Sequence, residues 1–502
     1  MKKNYLFLWG NTQIGKGILS FCLCLFLIGV TSCKEGFDDN EHFSGGVTGV
    51  TLESPDPSAV TFTKLAGTTN VKIEWPVVIG AGGYTVSFYI VDDPDNPVLV
   101  GEENEFVDGC SAIREYQDDT RYMALIKALG NVELNNKDAV AASELSWTTL
   151  LPATLIPDGT DLTTYFANFE DTGEEVAYEL VANGNYTISG DVDFDLGVVT
   201  LRGDKINRPT VVLGKDGGII TQAGLQLKWI NFDCTAATKI GFLSLSENPS
   251  STISTASLGY KADGANQDGF VINDPVTIQE CNFKNLNNSL LYGNKKNWSI
   301  RYFTIMDCIV QMNNSSSNST IHLQGASNGL IKNLTITNNT FYNLVTNDAA
   351  YFIRYSNASN AQPQKIFGNS DKSAIFTIEY NTFSRVMSNK DFGNNLPNAN
   401  TISTNISYNI LYDVYRLYQA VQTNTVRTTI GNTIFSVSAS PTGNDTSRTD
   451  SNGNPLATYE DPEFVGPFDV EFDLTKENGG VNFTPRGSVA VGNKAGDPRW
   501  YE

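Results

Sequence analysis

Histidine is nearly absent from this chain of 502 residues, with only His42 and His322. Chemistry that needs several imidazoles in one place, such as a His-rich zinc centre, is therefore excluded. Cysteine is scarce as well: there are seven, and no two are spaced as CxxC. That removes zinc knuckles and thioredoxin-type redox motifs. Charge is thin and unevenly signed. Only 18% of residues are charged, and 34 basic against 55 acidic side chains leave a net of −21. A surface of that sign repels polyanions, so nucleic acid is not an expected partner. The apolar run Ile18 to Gly29 is short for a bilayer span, which argues against a membrane-embedded chain. What the sequence does hold is Asn, Thr, Ser and Gly in quantity, with 21 Tyr and 27 Phe. Polar turn formers mixed with aromatic residues suit β-structure better than helix.

The first 32 residues are a targeting segment. Lys2, Lys3 and Lys16 form a basic region ahead of the apolar run, and "VTSC" follows it. These four residues resemble the bacterial lipobox, which implies that the leader is cut before Cys33 and that Cys33 carries the lipid. The next stretch, "KEGFDDNE", places Glu35, Asp38, Asp39 and Glu41 behind the new N-terminus. It is similar to the surface-export signal of Bacteroidota lipoproteins. The resemblance implies a lipoprotein of the outer membrane facing the cell exterior, touching the membrane through its lipid anchor alone. Removing the leader takes three Lys and no acid, so 31 basic and 55 acidic residues remain. Cys110, Cys234, Cys281 and Cys308 are then the remaining thiols, and buried free thiols are expected rather than disulfides.

Residues 33–46 read as a tether, and residues 47–150 as an antiparallel sandwich. Alternating stretches recur at "VKIEW" (Val71 to Trp75), "GYTVSFYIV" (Gly83 to Val91) and "TRYMALIKALG" (Thr120 to Gly130), separated by polar turns. The segment resembles a fibronectin type III module. Trp75 falls where that family keeps its core Trp, and Tyr122 where it keeps the Tyr whose hydroxyl ties down the preceding turn. Both are expected to pack in the core. With 7 basic and 20 acidic residues between Cys33 and Leu150, the module looks like a spacer.

Residues 151–502 repeat a phrase. "VTIQECNFKNL", "FTIMDCIVQM", "LTITNNTFYNL", "FTIEYNTFSRV", "NISYNILYDV" and "TTIGNTIFSV" align Cys281, Cys308, Asn339, Asn381, Asn409 and Asn432 in one column, at intervals of 27, 31, 42, 28 and 23 residues. A fixed motif at irregular intervals is what a parallel β-helix requires, since strands must restack on each coil while loops vary. The apolar strand faces the lumen, a two-residue bend follows, and Asn is expected in the left-handed position of that bend. Stacked about 4.8 Å apart, the amides are placed to form a ladder. The pattern resembles the pectin-lyase-type right-handed parallel β-helix, and the closing stretch Asp461 to Trp500 is similar to the C-terminal segment of many such proteins. The expected fold class is all-β, a sandwich followed by a parallel β-helix.

Strands placed by counting past each bend give one candidate column. If Ile321 and Leu323 point inward, His322 and Gln324 point out. The same alternation places Tyr351 and Ile353 inside and Phe352 and Arg354 outside. Tyr292, His322 and Arg354 then line up, with Lys295 and Lys296 at the edge and Arg416 and Tyr418 on a later rung. Aromatic faces beside cations suit a glycan that bears carboxylates. The partner expected is thus a polysaccharide, acidic and pectic by preference. Tyr292, Lys295, Gln324 and Arg416 are the expected binding residues, and Arg354 and His322 the catalytic ones if the protein is a polysaccharide lyase. The polygalacturonase Asp succession and the Arg-x-Pro-x-x-Arg signature of one pectate lyase group are missing, which keeps a non-catalytic adhesin or surface structural protein as the alternative. No metal site is assigned. "DVDFDLG" (Asp191 to Gly197) reads as a half-buried strand, while "DGANQDG" (Asp263 to Gly269) is a weaker candidate for Ca²⁺. A monomer is expected.

Overall fold

The structure is a computed structural model that describes residues 47–293, 295–324, 329–417, 425–436 and 448–501. Cys33 and Tyr418 lie outside the described residues. The chain divides into two compact units, one taking in the chain up to Tyr89 with Leu99–Tyr116 and Met123–Trp147, the other Ile90–Val98, Gln117–Tyr122 and Thr148 onward.

The first unit is built on antiparallel strands. Thr61–Lys64, Asn70–Glu74 and Ser111–Glu115 form a three-stranded sheet, and a five-stranded sheet is centred on Ala81–Ile90 and Arg121–Gly130. In the strand Arg121–Gly130 buried and half-buried positions alternate over eight residues, the burial pattern of a strand with one face on a core. Trp75 and Tyr122 are buried as expected. Trp75 meets the edge of Tyr84 at 5.4 Å. The Tyr122 hydroxyl accepts the backbone N–H of Gln117 at 2.6 Å, fixing the turn before its own strand.

From Ala153–Ile156 onward the described strands pair with one another in parallel, apart from isolated antiparallel bridges such as Ser254 to Phe270, and three long sheets of eleven, ten and seven strands run side by side. Seven successive coils, from Val176–Leu180 to Gly393–Asn394, contribute one strand to each sheet in turn, and later strands extend the first two sheets alone. Trp298–Met306, Ile309–Met312 and Ile321–Leu323 make one coil; Leu330–Thr337, Thr340–Asn343 and Ile353–Tyr355 make the next. This is a parallel β-helix. Three coils that carry no repeated phrase precede "VTIQEC": their first strands are Val176–Leu180, Val199–Arg202 and Leu225–Lys228. The lumen is filled by apolar side chains, with Phe341 and Phe383 stacked at 5.5 Å and Phe232 on Phe283 at 5.1 Å.

The bend between the first and second faces carries the repeated column. Asn339, Asn381, Asn409 and Asn432 are buried, and each Oδ1 accepts the backbone N–H of the residue one rung earlier: Cys308 at 2.9 Å, then Asn339, Asn381 and Asn409 at 3.0 Å. Their Nδ2 groups also donate along the ladder, at 2.9 to 3.0 Å, and to strand carbonyls. Cys281 and Cys308 continue the column as buried free thiols. The expected backbone role of Asn is corrected, however. The left-handed residue is the one before it: Glu280, Asp307, Asn338, Tyr380 and Tyr408 have φ between 49° and 58°, and Gly431 has φ 65°. The column residue itself supplies hydrogen bonds, not conformational tolerance.

Two faces are covered from outside. On the first, Arg301 and Lys332 both grip Asp371, Arg301 also donates to Tyr260 at 2.9 Å, and its guanidinium lies 4.8 Å from the Phe367 ring. Backbone bonds from Asn266 and Gln267 to the Lys365 carbonyl tie the two covering loops together. On the second face lies the C-terminal segment. Phe472, Val481, Phe483 and Trp500 pack on Ile309 and Tyr342, while buried Asp497 accepts from Thr340 at 2.8 Å. The closing stretch thus runs along a side of the helix.

Candidate functional site

The third face carries the predicted column. Its strands Ser289–Tyr292, Ile321–Leu323, Ile353–Tyr355 and Gly393–Asn394 pair in order, with Tyr292 opposite His322, His322 opposite Arg354, and Arg354 opposite Asn394. Leu291, Ile321 and Ile353 alternate with them and belong to the lumen core. Parallel pairing without offset sets one side chain per rung, about 4.8 Å apart.

His322 is only 2% exposed. Its Nδ1 accepts the backbone N–H of Ser319 at 3.3 Å, so the proton sits on Nε2, which donates to Gln324 Oε1 at 3.2 Å. Tyr292 meets the imidazole edge-on at 5.5 Å. Burial pulls the His322 pKa below its usual value, the Gln324 bond partly opposes this, and the Arg354 charge lowers it further. The ring is therefore neutral near pH 7 with both nitrogens occupied. His322, expected among the catalytic residues of a lyase, thus has no free nitrogen for proton transfer in this geometry. Gln324 fixes the tautomer, as the neighbour of the ring and not as a separate outward rung.

Arg354 is half-buried. Among the described residues no carboxylate pairs with it, and its Nε is buried without a hydrogen-bond partner. Its guanidinium lies 5.8 Å from the Tyr351 ring, and Lys390 Nζ approaches the same ring at 6.0 Å. The alternation that placed Tyr351 inside and Phe352 outside is reversed. Phe352 is fully buried, packed on Phe341, Phe383 and Phe392 at 5.0 to 5.1 Å. The reason is a bend at the entry to the strand: both Phe352 and Ile353 turn inward, so Tyr351 falls outside. Tyr351 and Lys390 were missed because they lie in connecting loops, where period-2 counting has no meaning.

Arg416 does not join the column as a free cation. Its Nε and Nη2 bind both oxygens of Asp391, the second at 3.2 Å, and the Asp391 side chain is only 10% exposed. An ion pair so enclosed holds the last rungs in register and leaves little of Arg416 for a ligand. Lys295 and Lys296 are exposed on the connection from the third face back to the first, lining a separate cavity with Ser254–Ala256 and Asp268–Phe270. The two acidic stretches are otherwise engaged. Asp263 accepts from the Ser370 backbone at 2.7 Å, Asp268 pairs with Lys261 at 2.7 Å, and Asp191 pairs with Lys239. Among the described residues no cluster of three metal-ligating side chains forms.

Comparison with known families matches residues 1–183 to a domain of unknown function (DUF4992) and residues 184–344 to a second domain of unknown function (DUF4957). No curated protein matches the chain. Among solved structures it is similar to an alginate lyase of family PL6, with 14% identity, TM-score 0.32, and coverage of 62% of this chain and 45% of that one. It thus spans less than half the length of that enzyme. The catalytic domain of a GH87 α-1,3-glucanase bound to nigerose aligns with 13% identity and TM-score 0.24, covering 77% and 73% of the two chains. A pectate lyase from Erwinia chrysanthemi bound to tetragalacturonic acid aligns with 10% identity and TM-score 0.17, covering 69% and 84%. The parallel β-helix is established by the strand pairing itself, whichever neighbour is set beside it.

Proposed function

We propose that the third face of the helix binds an acidic polysaccharide laid along the helix axis, with Arg354 as the carboxylate clamp. One observation carries the reading: Arg354 stands in the Tyr292–His322–Arg354–Asn394 column with no carboxylate partner among the described residues, its Nε buried and without a hydrogen-bond partner there. A buried donor without an acceptor costs about 1 to 3 kcal/mol, and a ligand oxygen would recover part of it. A guanidinium that has no carboxylate partner among the described residues and lies beside an aromatic ring is placed to take a ligand carboxylate. Tyr351 supplies ring surface, and the half-buried Asn394 and Gln324 supply polar edges, while Tyr292 and His322, 9% and 2% exposed, back the column from within. Because both imidazole nitrogens are committed, binding is favoured over any cleavage that uses His322 as acid or base. The chain then acts as a glycan-holding lipoprotein, anchored through Cys33 at the outer surface of the outer membrane.

Calorimetry with uronate oligosaccharides on the wild type and Arg354→Ala tests the clamp. Loss of a charged hydrogen bond should weaken binding by about 1.5 to 3 kcal/mol. Equal affinity in the two proteins removes Arg354 from the site.

A further inference from the structure

The connection that leaves the Tyr292 strand builds a cavity open to solvent and about 350 Å³ in volume. Its walls come from three segments, Ser254–Ala256, Asp268–Phe270 and Lys295–Asn297, and they are tied to one another before any ligand arrives. Thr255 N–H donates to the Gly269 carbonyl and Phe270 N–H to the Asn297 carbonyl, both at 2.9 Å, while the Asn297 amide donates to the Asp268 carbonyl at 3.2 Å. Phe270 is backed by Trp298 at 5.8 Å and packs against the lumen core, so one wall is apolar and firm. Half-buried Ser254 brings a hydroxyl, while the Thr255 hydroxyl is buried and donates to the Gln267 carbonyl at 3.2 Å. The one acid in the lining, Asp268, is paired with Lys261 at 2.7 Å. Lys295 and Lys296 are exposed, and among the described residues neither has a carboxylate partner. The cavity therefore carries two uncompensated positive charges in a chain whose net charge is strongly negative.

From these features we infer that the cavity is a subsite for one acidic sugar residue. The apolar wall takes a ring face, the Ser254 hydroxyl meets a ring hydroxyl, and the two ammonium groups take a carboxylate or a sulfate ester. Its volume lies at the small end of the range for small-molecule sites, about 300 to 1,000 Å³, which suits one ring and not a chain. Lys295 follows Tyr292 by three residues, at most about 10 Å of extended backbone. That is roughly two coil rises, so a glycan end seated here can continue onto the column. The inference rests on the proposed use of that column and adds recognition of a chain end to it.

The test uses the mature chain and four ligands: a monosaccharide uronate, a sulfated monosaccharide, neutral glucose and a uronate oligosaccharide. Wild type, Lys295→Ala/Lys296→Ala, Lys295→Arg/Lys296→Arg and Arg354→Ala are compared by calorimetry. The inference expects an anionic monosaccharide to bind the wild type, to lose tenfold or more in the double Ala variant, and to keep its affinity in the double Arg variant. Whichever of carboxylate and sulfate binds more tightly identifies the anion. Glucose binding as tightly as either anion, no anionic monosaccharide binding the wild type, or equal binding to the double Ala variant would overturn it. Failure of the column is separate, since it appears as an oligosaccharide affinity unchanged by Arg354→Ala.

Discussion

At the scale of single residues, the Asn column shows how one side chain can be selected for hydrogen bonds while its neighbour bears the backbone strain. Asn381 accepts from the backbone and amide of Asn339, takes the next rung through its own N–H, and donates to the Ile336 and Glu379 carbonyls at 2.8 and 2.9 Å. Valine has similar bulk and no polar atoms. Asn381→Val should strand several buried groups at about 1 to 3 kcal/mol each, partly relaxed, so a net loss of about 3 kcal/mol is expected. A thermal melt should show it plainly, and an unchanged melting temperature would refute the ladder's contribution. The left-handed cost sits instead on Tyr380 at φ 56°, whose ring is held by stacking on Tyr408 at 4.9 Å. The thiols that continue the column are chemically quiet, because burial pushes the Cys281 pKa up to about 12 and that of Cys308 well above its ordinary value.

At the scale of elements, the C-terminal segment is a strap on the second face. Trp500 is 6% exposed, donates from Nε1 to Thr340 at 2.7 Å and meets Phe483 at 5.7 Å. Trp500→Ala should cost about 3 to 5 kcal/mol at that contact and free the strap before the coils unfold. Limited proteolysis should then release a fragment cut near residue 460, and a protease-resistant strap would show that Trp500 does not hold it. The strap was visible in the sequence only as a family likeness, because nothing in "GDPRW" says which face it meets. The coils from Val276 onward were legible for the opposite reason: the bend recurs with the same small polar residue, so each copy announces the next. Earlier coils escaped because Ile230 stands one rung before Cys281, and an apolar residue there leaves no recurring mark. The site was half legible. Within strands, alternation placed Tyr292, His322 and Arg354 in one column; at the Tyr351–Phe352 bend it failed, and it could not foresee that Asp391 claims Arg416.

At the scale of the whole molecule, the proposed lipid tether would decide where binding can matter. A lipid on Cys33 would hold the chain at a membrane, and a Cys33→Ala variant should lose palmitate labelling and leave the membrane fraction. A variant that still labels and still sediments with membranes would refute the lipobox. The same Asn ladder has a consequence at this scale. Every rung hands its hydrogen bonds to the following rung in one direction and in the same geometry, so no coil between Asn339 and Asn432 is singled out by its place in the series. Cutting the chain before Asn381 and rejoining it at Asn409 would bring Asn409 beneath Asn339 with the bonding pattern restored. Helix length is thus free to change by whole coils through gain or loss of gene segments, and with it the length of the third face, while the rules that fold each coil stay the same.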